Sequence, residues 1–401
     1  MNKRQKKRGS ISIETILISA AMVAVSGIVV GTLAKGTESV NGKSSTQIDQ
    51  SSKRVDSALD NFANENGINF PNERAKPEES NEISEWYIDS QNVLHISGGV
   101  FTDLENETWV PESSGGVVQK VKEGYERGTT RDKVIKIVVE GKVILPENVE
   151  RMFSGFTSVV EFEGLDNFDT SRVKNMDSMF ANMESLENLD LRSWDVSNVR
   201  SFNSTFSQLA SLPVLNLTGW TTSSAVEMNS MFSGGSIEVI QGIEHFDTST
   251  VADMSYMFSS SNVSVLDLRT WDVSTVILMD GMFSGASVSN LIIHSWDVQK
   301  VESMNYMFSF MENINPLDLS NWDTKNVQQM TGVFSYMSNL QALYLDNWEL
   351  TGIANNYSKS DMFYRTPLSL ITTKSNDLIS QLKLDTGANW VNSGSNEYLR
   401  S

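Results

Sequence analysis

A repeat of about 26 residues constrains this chain more than any other feature of its sequence. Eight aromatic residues, six of them followed by Asp, recur every 25 or 26 residues, and a Phe follows each of the first seven after 12 residues. In the eighth copy the corresponding Phe363 comes 15 residues after the aromatic residue. A unit this short cannot bury its own apolar surface, so the period predicts a solenoid of stacked coils. The repeated aromatic residues are Phe168, Trp194, Trp220, Phe246, Trp271, Trp296, Trp322 and Trp348.

Each repeat contains two apolar patterns. Before the aromatic residue, apolar residues alternate, as at Leu266 and Leu268, which predicts a short strand with one buried face. After it comes a motif of the form V-x-x-M-x-x-M-F, as from Val251 to Phe258, whose spacing predicts a short helix or a 3-10 turn. We therefore expect an α/β repeat solenoid over residues 151–365, with one short parallel strand and one short helix or 3-10 turn per coil.

The segments that flank the repeats are predicted to cap the solenoid. Residues 83–150 form a β-rich cap in this interpretation, with one hairpin that joins 86–88 to 93–96 and a second that joins 134–139 to 142–145. Residues 366–401 are assigned to a C-terminal cap. A solenoid needs such ends because its first and last coils would otherwise expose core.

Two ladders of side chains run through the repeats, and each has a structural and a functional interpretation. The aromatic ladder is expected in the core, the alternative being an exposed surface that stacks on sugars. The methionines are expected as core filler. The Asp ladder is expected to cap turns, because one carboxylate per coil is a thin supply for calcium, which takes 6–8 oxygen ligands. Its members are Asp169, Asp195, Asp247, Asp272, Asp297 and Asp323.

The repeats resemble those of the BspA-like leucine-rich-repeat surface proteins of bacteria. The segments LDLRSWDVSNVRSFNSTF, LDLRTWDVSTVILMDGMF and LDLSNWDTKNVQQMTGVF carry the resemblance, which extends over about 83–395. It implies an exported surface protein that adheres to a host, matrix or neighbouring-cell protein or glycan. The family defines no catalytic residues that could be transferred to this chain.

The N-terminus predicts attachment to a membrane. A basic leader, residues 1–9, precedes an apolar stretch from Thr15 to Ala34, about the length of one membrane-spanning helix. Positive charges on its leading side predict that this end stays cytoplasmic. A cleaved secretory signal is the competing interpretation, although the apolar core is longer than such signals need. The helix is expected to continue to residue 70, followed by a linker at 71–82.

Three residues in this segment resemble a type IV prepilin signal, including that of the Flp/Tad branch. Gly9 ends the basic leader, Ser10 follows it, and Glu14 would be the fifth residue after cleavage at Gly9. The resemblance implies a prepilin peptidase and other pilin subunits as partners, with Glu14 pairing with a neighbouring subunit's N-terminal amine. Ser10 departs from the apolar residue common at that position. The plain alternative is an uncleaved anchor that tolerates one Glu near the lipid headgroups.

Charge and motif content narrow the function classes. The formal net charge is −19, which disfavours nucleic-acid binding, and the absence of Cys removes disulfides and thiolate sites. His95, His245 and His294 lack metal-ligand spacing, and no phosphate loop, zinc signature or nucleophile elbow is present. No cofactor is expected. The leading hypothesis is a non-enzymatic, adhesin-like protein on the cell surface; a minor or tip pilin-like subunit is the alternative, and a cell-wall hydrolase comes third.

Overall fold

The chain winds into a parallel β-solenoid of about nine coils. The computed structural model describes residues 84, 86–101, 131–353 and 357–400, which all lie within one compact unit, 79–401. The predicted leader, membrane helix and linker lie outside the described residues. We number the repeats 1 to 8 by their aromatic residues, from Phe168 to Trp348.

The regular elements are short, because turns interrupt each coil every few residues. The strands are β1 (Trp86–Ile88), β2 (Val93–Ile96), β3 (Gly99–Val100), β4 (Lys136–Val139), β5 (Val143–Ile144), β6 (Glu161–Glu163), β7 (Phe168–Asp169), β8 (Val214–Asn216), β9 (Val239–Gln241), β10 (Val265–Asp267), β11 (Asn290–Ile292), β12 (Leu317–Asp318), β13 (Ala342–Tyr344), β14 (Leu370–Thr372), β15 (Trp390–Gly394) and β16 (Glu397–Arg400). One α-helix, α1 (Asn376–Thr386), and four 3-10 helices, at Arg131–Lys133, Leu165–Asn167, Ile243–His245 and Tyr357–Lys359, complete the described elements.

Equivalent strands of successive repeats pair in parallel, as the alternating apolar pattern predicts. Leu266 of β10 lies beside Leu291 of β11, and Leu317 of β12 lies beside Leu343 of β13. The leucine at the centre of β10 is buried while its outward neighbour Val265 is exposed, the two-residue alternation of a sheet with one buried face. A second ladder of isolated parallel bridges joins Asn148, Asn175, Ser201, Glu227, Asp253, Leu278, Ser303 and Gln329.

Tandem β-turns replace the predicted helix or 3-10 turn after the second ladder. In repeat 3 the N–H groups of Met231 and Ser233 donate to carbonyls three residues back, while those of Ser230 and Phe232 donate to carbonyls of repeat 4. Turn bonds and bonds to the next coil therefore alternate along the chain. We call the surface formed by these turns the turn face.

Positive φ angles make this alternation possible. A type II turn needs φ above zero at its third residue, and each repeat has two such residues four positions apart. Most are not glycine, so the bonds to the next coil hold side-chain-bearing residues in the left-handed region. In repeats 2 to 7 they are Ser204 and Gln208, Ser230 and Gly234, Tyr256 and Ser260, Gly281 and Gly285, Tyr306 and Phe310, and Gly332 and Tyr336.

One continuous apolar core runs along the solenoid from Trp86 to Trp390. Its spine is a column of Phe rings, one per coil, with successive centroids 5.6–5.9 Å apart. Methionines such as Met254 and Met257 fill the space beside the column and are fully buried. Each coil thus buries its core residues against its neighbours, which is where a repeat protein obtains its stability.

The two ends of the solenoid depart from the parallel pattern. The first predicted hairpin is confirmed, because β1 pairs with β2 antiparallel. The second is wrong: β4 pairs in parallel with β2 and β6, and β5 pairs in parallel with β3 and β7. The chain turns a corner of the coil at Gly141 instead of folding back. The domain division at 150 and 151 stays a prediction.

The C-terminal end is covered by α1 and a hairpin. Ser375 accepts the N–H of Leu378 as N-cap, and Gly387 ends the helix in the left-handed conformation. Leu378 and Leu382 are buried on the inner side of α1. Strand β16 then pairs antiparallel with β14, and β15 pairs with β16, so the parallel ladder stops at β14.

Candidate binding surface

The repeated aromatic residues lie in the core. All eight are at most 5% exposed. The six tryptophans among them donate the indole Nε1–H to a backbone carbonyl of the preceding coil, at distances of 2.9–3.2 Å. The indole therefore fills the core and gives a second hydrogen bond to a carbonyl that already accepts a backbone N–H of its own coil.

The two repeats that have Phe in place of Trp differ in the segment just before the aromatic residue. A 3-10 helix precedes Phe168 and another precedes Phe246, and each follows a glycine with positive φ, Gly164 or Gly242. A Cβ on Gly242 would lie 2.7 Å from the backbone nitrogen of Thr218. The backbone comes this close to the preceding coil only because no side chain is present.

The six Asp residues hold the turns that follow. Each accepts the backbone N–H two residues further on through Oδ1, at 2.9–3.3 Å, which is the geometry of an Asx turn. Hydrogen bonds from the side chain and N–H of Ser274 lower the pKa of Asp272. Within the described residues, no three His, Asp or Glu side chains are grouped to hold a metal ion.

Gly9, Ser10 and Glu14 lie outside the described residues, so the prepilin interpretation stays a prediction. Among the helices of the described part of the chain, none has the length and apolarity needed to cross a bilayer.

A group of exposed aromatic side chains on the turn face was not predicted from the sequence. We call it the aromatic surface; it consists of Tyr256, Tyr306, Phe310, Tyr336 and Tyr364, together with Arg365. Tyr256, Tyr306 and Phe310 are 47%, 46% and 49% exposed, whereas Tyr336 is half-buried. The group extends over repeats 4 to 8, with no aromatic member in repeat 5. Large aromatic side chains clustered on one face are the kind of exposed apolar surface that marks an interaction site.

The C-terminal part of the aromatic surface is a packed stack. The rings of Phe310 and Tyr336 lie parallel, with centroids 4.5 Å apart and planes inclined by 8°. Tyr364 meets Tyr336 edge to face at 5.3 Å. The Arg365 guanidinium carbon lies 5.6 Å from the Tyr336 ring centroid and 5.5 Å from that of Tyr364, within cation–π range. No carboxylate among the described residues forms a salt bridge with Arg365.

The N-terminal part is built on tyrosine and glycine in alternate coils. Tyr256, Gly281, Tyr306 and Gly332 occupy the same turn position in repeats 4 to 7, and all have φ of 55–58°. A Cβ on Gly281 would collide with Cε1 of Tyr256, and one on Gly332 would lie 2.5 Å from Cε1 of Tyr306. Each tyrosine ring therefore leans over the glycine of the next coil. The alternation of Tyr and Gly at one position of successive repeats is the sequence signal that could have revealed the surface.

Beyond the stack, a groove of about 680 Å³ separates repeat 8 from α1. Tyr364 lines it together with Asp361, Asp377 and Asp385. Burial raises the pKa of Asp385, although its carboxylate accepts the Phe363 N–H at 3.1 Å and the Gln381 side-chain amide at 2.7 Å. The groove extends the aromatic surface toward the C-terminal end of the solenoid.

Comparison with known proteins identifies the repeats. The family described as "Mycoplasma protein of unknown function, DUF285" matches residues 147–266 and 259–370, more than half of the chain. The chain belongs to this family. The predicted repeat-protein relationship is thereby confirmed, whereas the family's description assigns no activity.

One solved structure similar to this chain is a leucine-rich repeat protein from Bacteroides ovatus. It is 12% identical, covers 73% of this chain and 75% of its own, and superimposes with a TM-score of 0.33. No curated protein matches the chain.

Proposed function

We propose that this chain is a non-enzymatic binding protein displayed on a bacterial cell surface, and that its partner, a protein or glycan of a host, matrix or neighbouring cell, docks on the aromatic surface. The observation that supports the proposal most is the clustering of five aromatic rings, four exposed and one half-buried, on one face of repeats 4 to 8. Tyr and Arg are enriched among the residues that supply most binding energy at interfaces.

The chain itself indicates that folding does not need these rings. Ser178, Ser204 and Ser230 occupy in repeats 1 to 3 the position that Tyr256 and Tyr306 occupy in repeats 4 and 6, with the same positive φ. Small polar side chains therefore satisfy this position in half of the solenoid. A binding role explains why the C-terminal half carries aromatic rings instead.

Attachment at the N-terminal segment accounts for display of the solenoid. A membrane anchor and a pilin-like subunit both place the repeats outside the cell, and Gly9 and Glu14 support the second. A rigid solenoid held at one end presents many weak contacts at once, which raises avidity without strong single contacts.

Adhesion of matched variants tests the proposal. Fluorescently labelled full-length chain would be measured for binding to intact epithelial cells and to decellularised matrix. We expect the triple variant Tyr306→Ser, Phe310→Ser, Tyr336→Ser to lose at least tenfold in binding. The matched control is Val239→Ser with Val265→Ser, two aliphatic side chains of similar exposure on the strand side of the coils.

The control variant should bind as the parent does. Equal binding by the triple variant and the parent would refute the aromatic surface as the docking site. Thermal unfolding of each variant, followed by circular dichroism, establishes that the solenoid is intact.

A further inference from the structure

We propose that the aromatic surface contains a notch above Gly285 that binds one pyranose ring of a neutral glycan, stacked on the free face of Phe310. The inference rests on the proposed function, because it names the chemistry of the partner for the same surface.

The notch results from a missing side chain in one row of the turn face. Ser260, Gly285, Phe310 and Tyr336 hold the same turn position in repeats 4 to 7. Coils of a parallel ladder lie about 4.8 Å apart, so Ser260 and Phe310 are separated by about 9.6 Å at the backbone. Gly285 lies between them, and its backbone alone forms the bottom of the notch.

Gly285 differs from Gly234, Gly281 and Gly332 because no side-chain atom overlaps the position that its Cβ would take. Gln208 lies where a Cβ on Gly234 would project, and tyrosine rings do the same above Gly281 and Gly332. A Cβ on Gly285 would instead meet Ser260 Oγ at 3.4 Å, an ordinary contact, with the Ser260 backbone further away. Gly285 is half-exposed, and the space for a side chain above it is not filled.

Phe310 forms a fixed wall of the notch. Tyr336, in the following coil, covers one face of the Phe310 ring at 4.5 Å with nearly parallel planes. The opposite face is directed to the preceding coil, which at this position has only Gly285. The 49% exposure of Phe310 agrees with one covered and one free face. Since the stack already orients the ring, a ligand does not need to order it on binding.

Side chains with hydroxyl groups occupy turn positions in repeats 4 and 6, the coils on either side of Gly285. The hydroxyls of Ser260, Tyr256 and Tyr306 have no hydrogen-bond partner among the described residues. A pyranose ring has an apolar face of C–H groups, which suits the negative face of an aromatic ring, and a rim of hydroxyls that need partners. An aromatic wall with a few placed hydroxyls matches both requirements.

The charge of the notch favours an uncharged sugar. Ser260, Gly285, Phe310, Tyr256 and Tyr306 are all neutral, and the chain as a whole carries a formal charge of −19. A carboxylated or sulfated glycan would be repelled by this field and would find no cation in these five residues. Arg365, the cation of the aromatic surface, lies over Tyr336 and Tyr364, beyond the covered face of Phe310. The negative charge of the protein does not weaken its binding to a neutral glycan.

The neighbouring tyrosines favour a chain of sugars over a single one. Tyr256 and Tyr306 are two coils apart, so at a coil spacing of about 4.8 Å they are separated by about 9.6 Å, roughly the length of a disaccharide. A linear oligosaccharide that runs along the solenoid axis can therefore contact both tyrosines while one of its rings occupies the notch.

Titration of defined oligosaccharides tests the inference. Full-length chain would be titrated by calorimetry with cellohexaose, chitohexaose, xylohexaose and mannohexaose, with a hyaluronan hexasaccharide as the acidic comparison. We expect at least one neutral hexasaccharide to bind and hyaluronan not to bind. Two variants probe the notch: Phe310→Ser removes the wall, and Ser260→Gln fills the space as Gln208 does above Gly234.

Both variants use residues that the same row already contains at positive φ, so the backbone is not strained further. We expect each to weaken the bound hexasaccharide at least tenfold, whereas the matched control Gln208→Ser, which uncovers Gly234 in another part of the turn face, leaves its affinity unchanged. Failure of every neutral hexasaccharide to bind, tighter binding of hyaluronan, or unchanged affinity of Ser260→Gln would overturn the inference. The proposed function would survive such a failure if the triple Ser variant still lost adhesion to cells or matrix.

Discussion

The indole Nε1–H of Trp322 donates to the backbone carbonyl of Ile293, one coil earlier, across 3.2 Å. Trp322 is fully buried, and its ring stacks between those of Trp296 and Trp348 at 5.9 and 6.1 Å. This side chain therefore joins consecutive coils in two ways, through ring contact and through a buried hydrogen bond.

Replacement of Trp322 by Phe should separate these two contributions. The ring contact is largely kept, whereas the carbonyl of Ile293 loses one of its two hydrogen bonds, keeping only that from the Trp296 N–H, and a small cavity forms. We expect the free energy of unfolding to fall by about 1–3 kcal/mol. Urea unfolding followed by far-UV circular dichroism measures the change.

A comparison with Trp390→Phe provides the control. The Trp390 indole has a longer bond, 3.4 Å, to the Thr386 hydroxyl near the C-terminal end of the solenoid. We expect the free energy of unfolding to fall less for Trp390→Phe than for Trp322→Phe. A Trp322→Phe variant as stable as the parent would show that the indole hydrogen bond contributes nothing measurable.

Gly332 should tolerate a side chain less well than a glycine of positive φ with open space around it. Gly332→Ala places a Cβ 2.5 Å from the Tyr306 ring at a φ of +58°, so steric and backbone costs combine. Gly219→Ala is the matched control, because Gly219 also has positive φ but has no other atom within 4 Å of the added Cβ. We expect a loss of about 1 kcal/mol for the control and a larger loss for Gly332→Ala. Equal melting temperatures of the two variants would contradict the clash with Tyr306.

Asp272 tests the turn role of the Asp ladder. Its Oδ1 accepts the Ser274 N–H at 2.9 Å. Asp272→Ala should lower stability by about 0.5–2 kcal/mol, as loss of a comparable helix cap does, whereas Asp272→Asn keeps an acceptor and should cost less. The melting temperature should also be unchanged by addition of calcium or of a chelator. A calcium-dependent rise in melting temperature would favour the metal interpretation instead.

The carboxylate of Asp190 makes a pH-dependent contribution to the stability of the folded chain, and its lowered pKa fixes the sign of that contribution. Hydrogen bonds from the Arg192 side chain lower its pKa from 3.8 to about 2. Because the folded pKa is below the unfolded value, the stabilisation is fully present above about pH 4 and is lost as the pH falls through 2. The pair is solvent-exposed, so Asp190→Asn should cost less than about 1 kcal/mol at pH 7, and nothing once the carboxyl is protonated. A stability difference that grew on acidification would contradict this assignment.

The N-terminal prediction is tested by sequencing the mature protein. Co-expression with a prepilin peptidase should give a chain that begins at Ser10, and Gly9→Leu should block the cleavage. A chain that keeps Met1 in the presence of the peptidase would leave a plain membrane anchor as the better interpretation.

The repeat period predicted the parallel strands because both depend on the same buried leucines. The motif after the aromatic residue was harder to interpret, since turns and 3-10 helices share bonds between residues three apart. Ser230 and Ser204 occupy a left-handed position that sequence patterns normally assign to glycine. What stabilises them there is the hydrogen bond that each N–H donates to a carbonyl of the next coil, which no local pattern reveals.

The aromatic surface escaped prediction for a related reason. Tyr306 and Phe310 lie in the same short motif as the buried Met307 and Phe308, so a sequence pattern does not distinguish outward rings from core rings. The direction of each side chain follows from the alternation of turn bonds and bonds to the next coil. The second predicted hairpin failed because Gly141 allows a coil corner as readily as a reversal.

The alternating hydrogen bonds of the turn face also affect how the number of repeats can change during evolution. On the turn face every coil offers its neighbour the same set of carbonyls that it receives from the coil on its other side, so duplication or deletion of one whole repeat would preserve the hydrogen bonds of this face. Each such event would alter the reach of the protein by about 4.8 Å. Repeats 1 to 3 can be gained or lost without disturbing Phe310 and its neighbours, which leaves reach and recognition free to evolve separately.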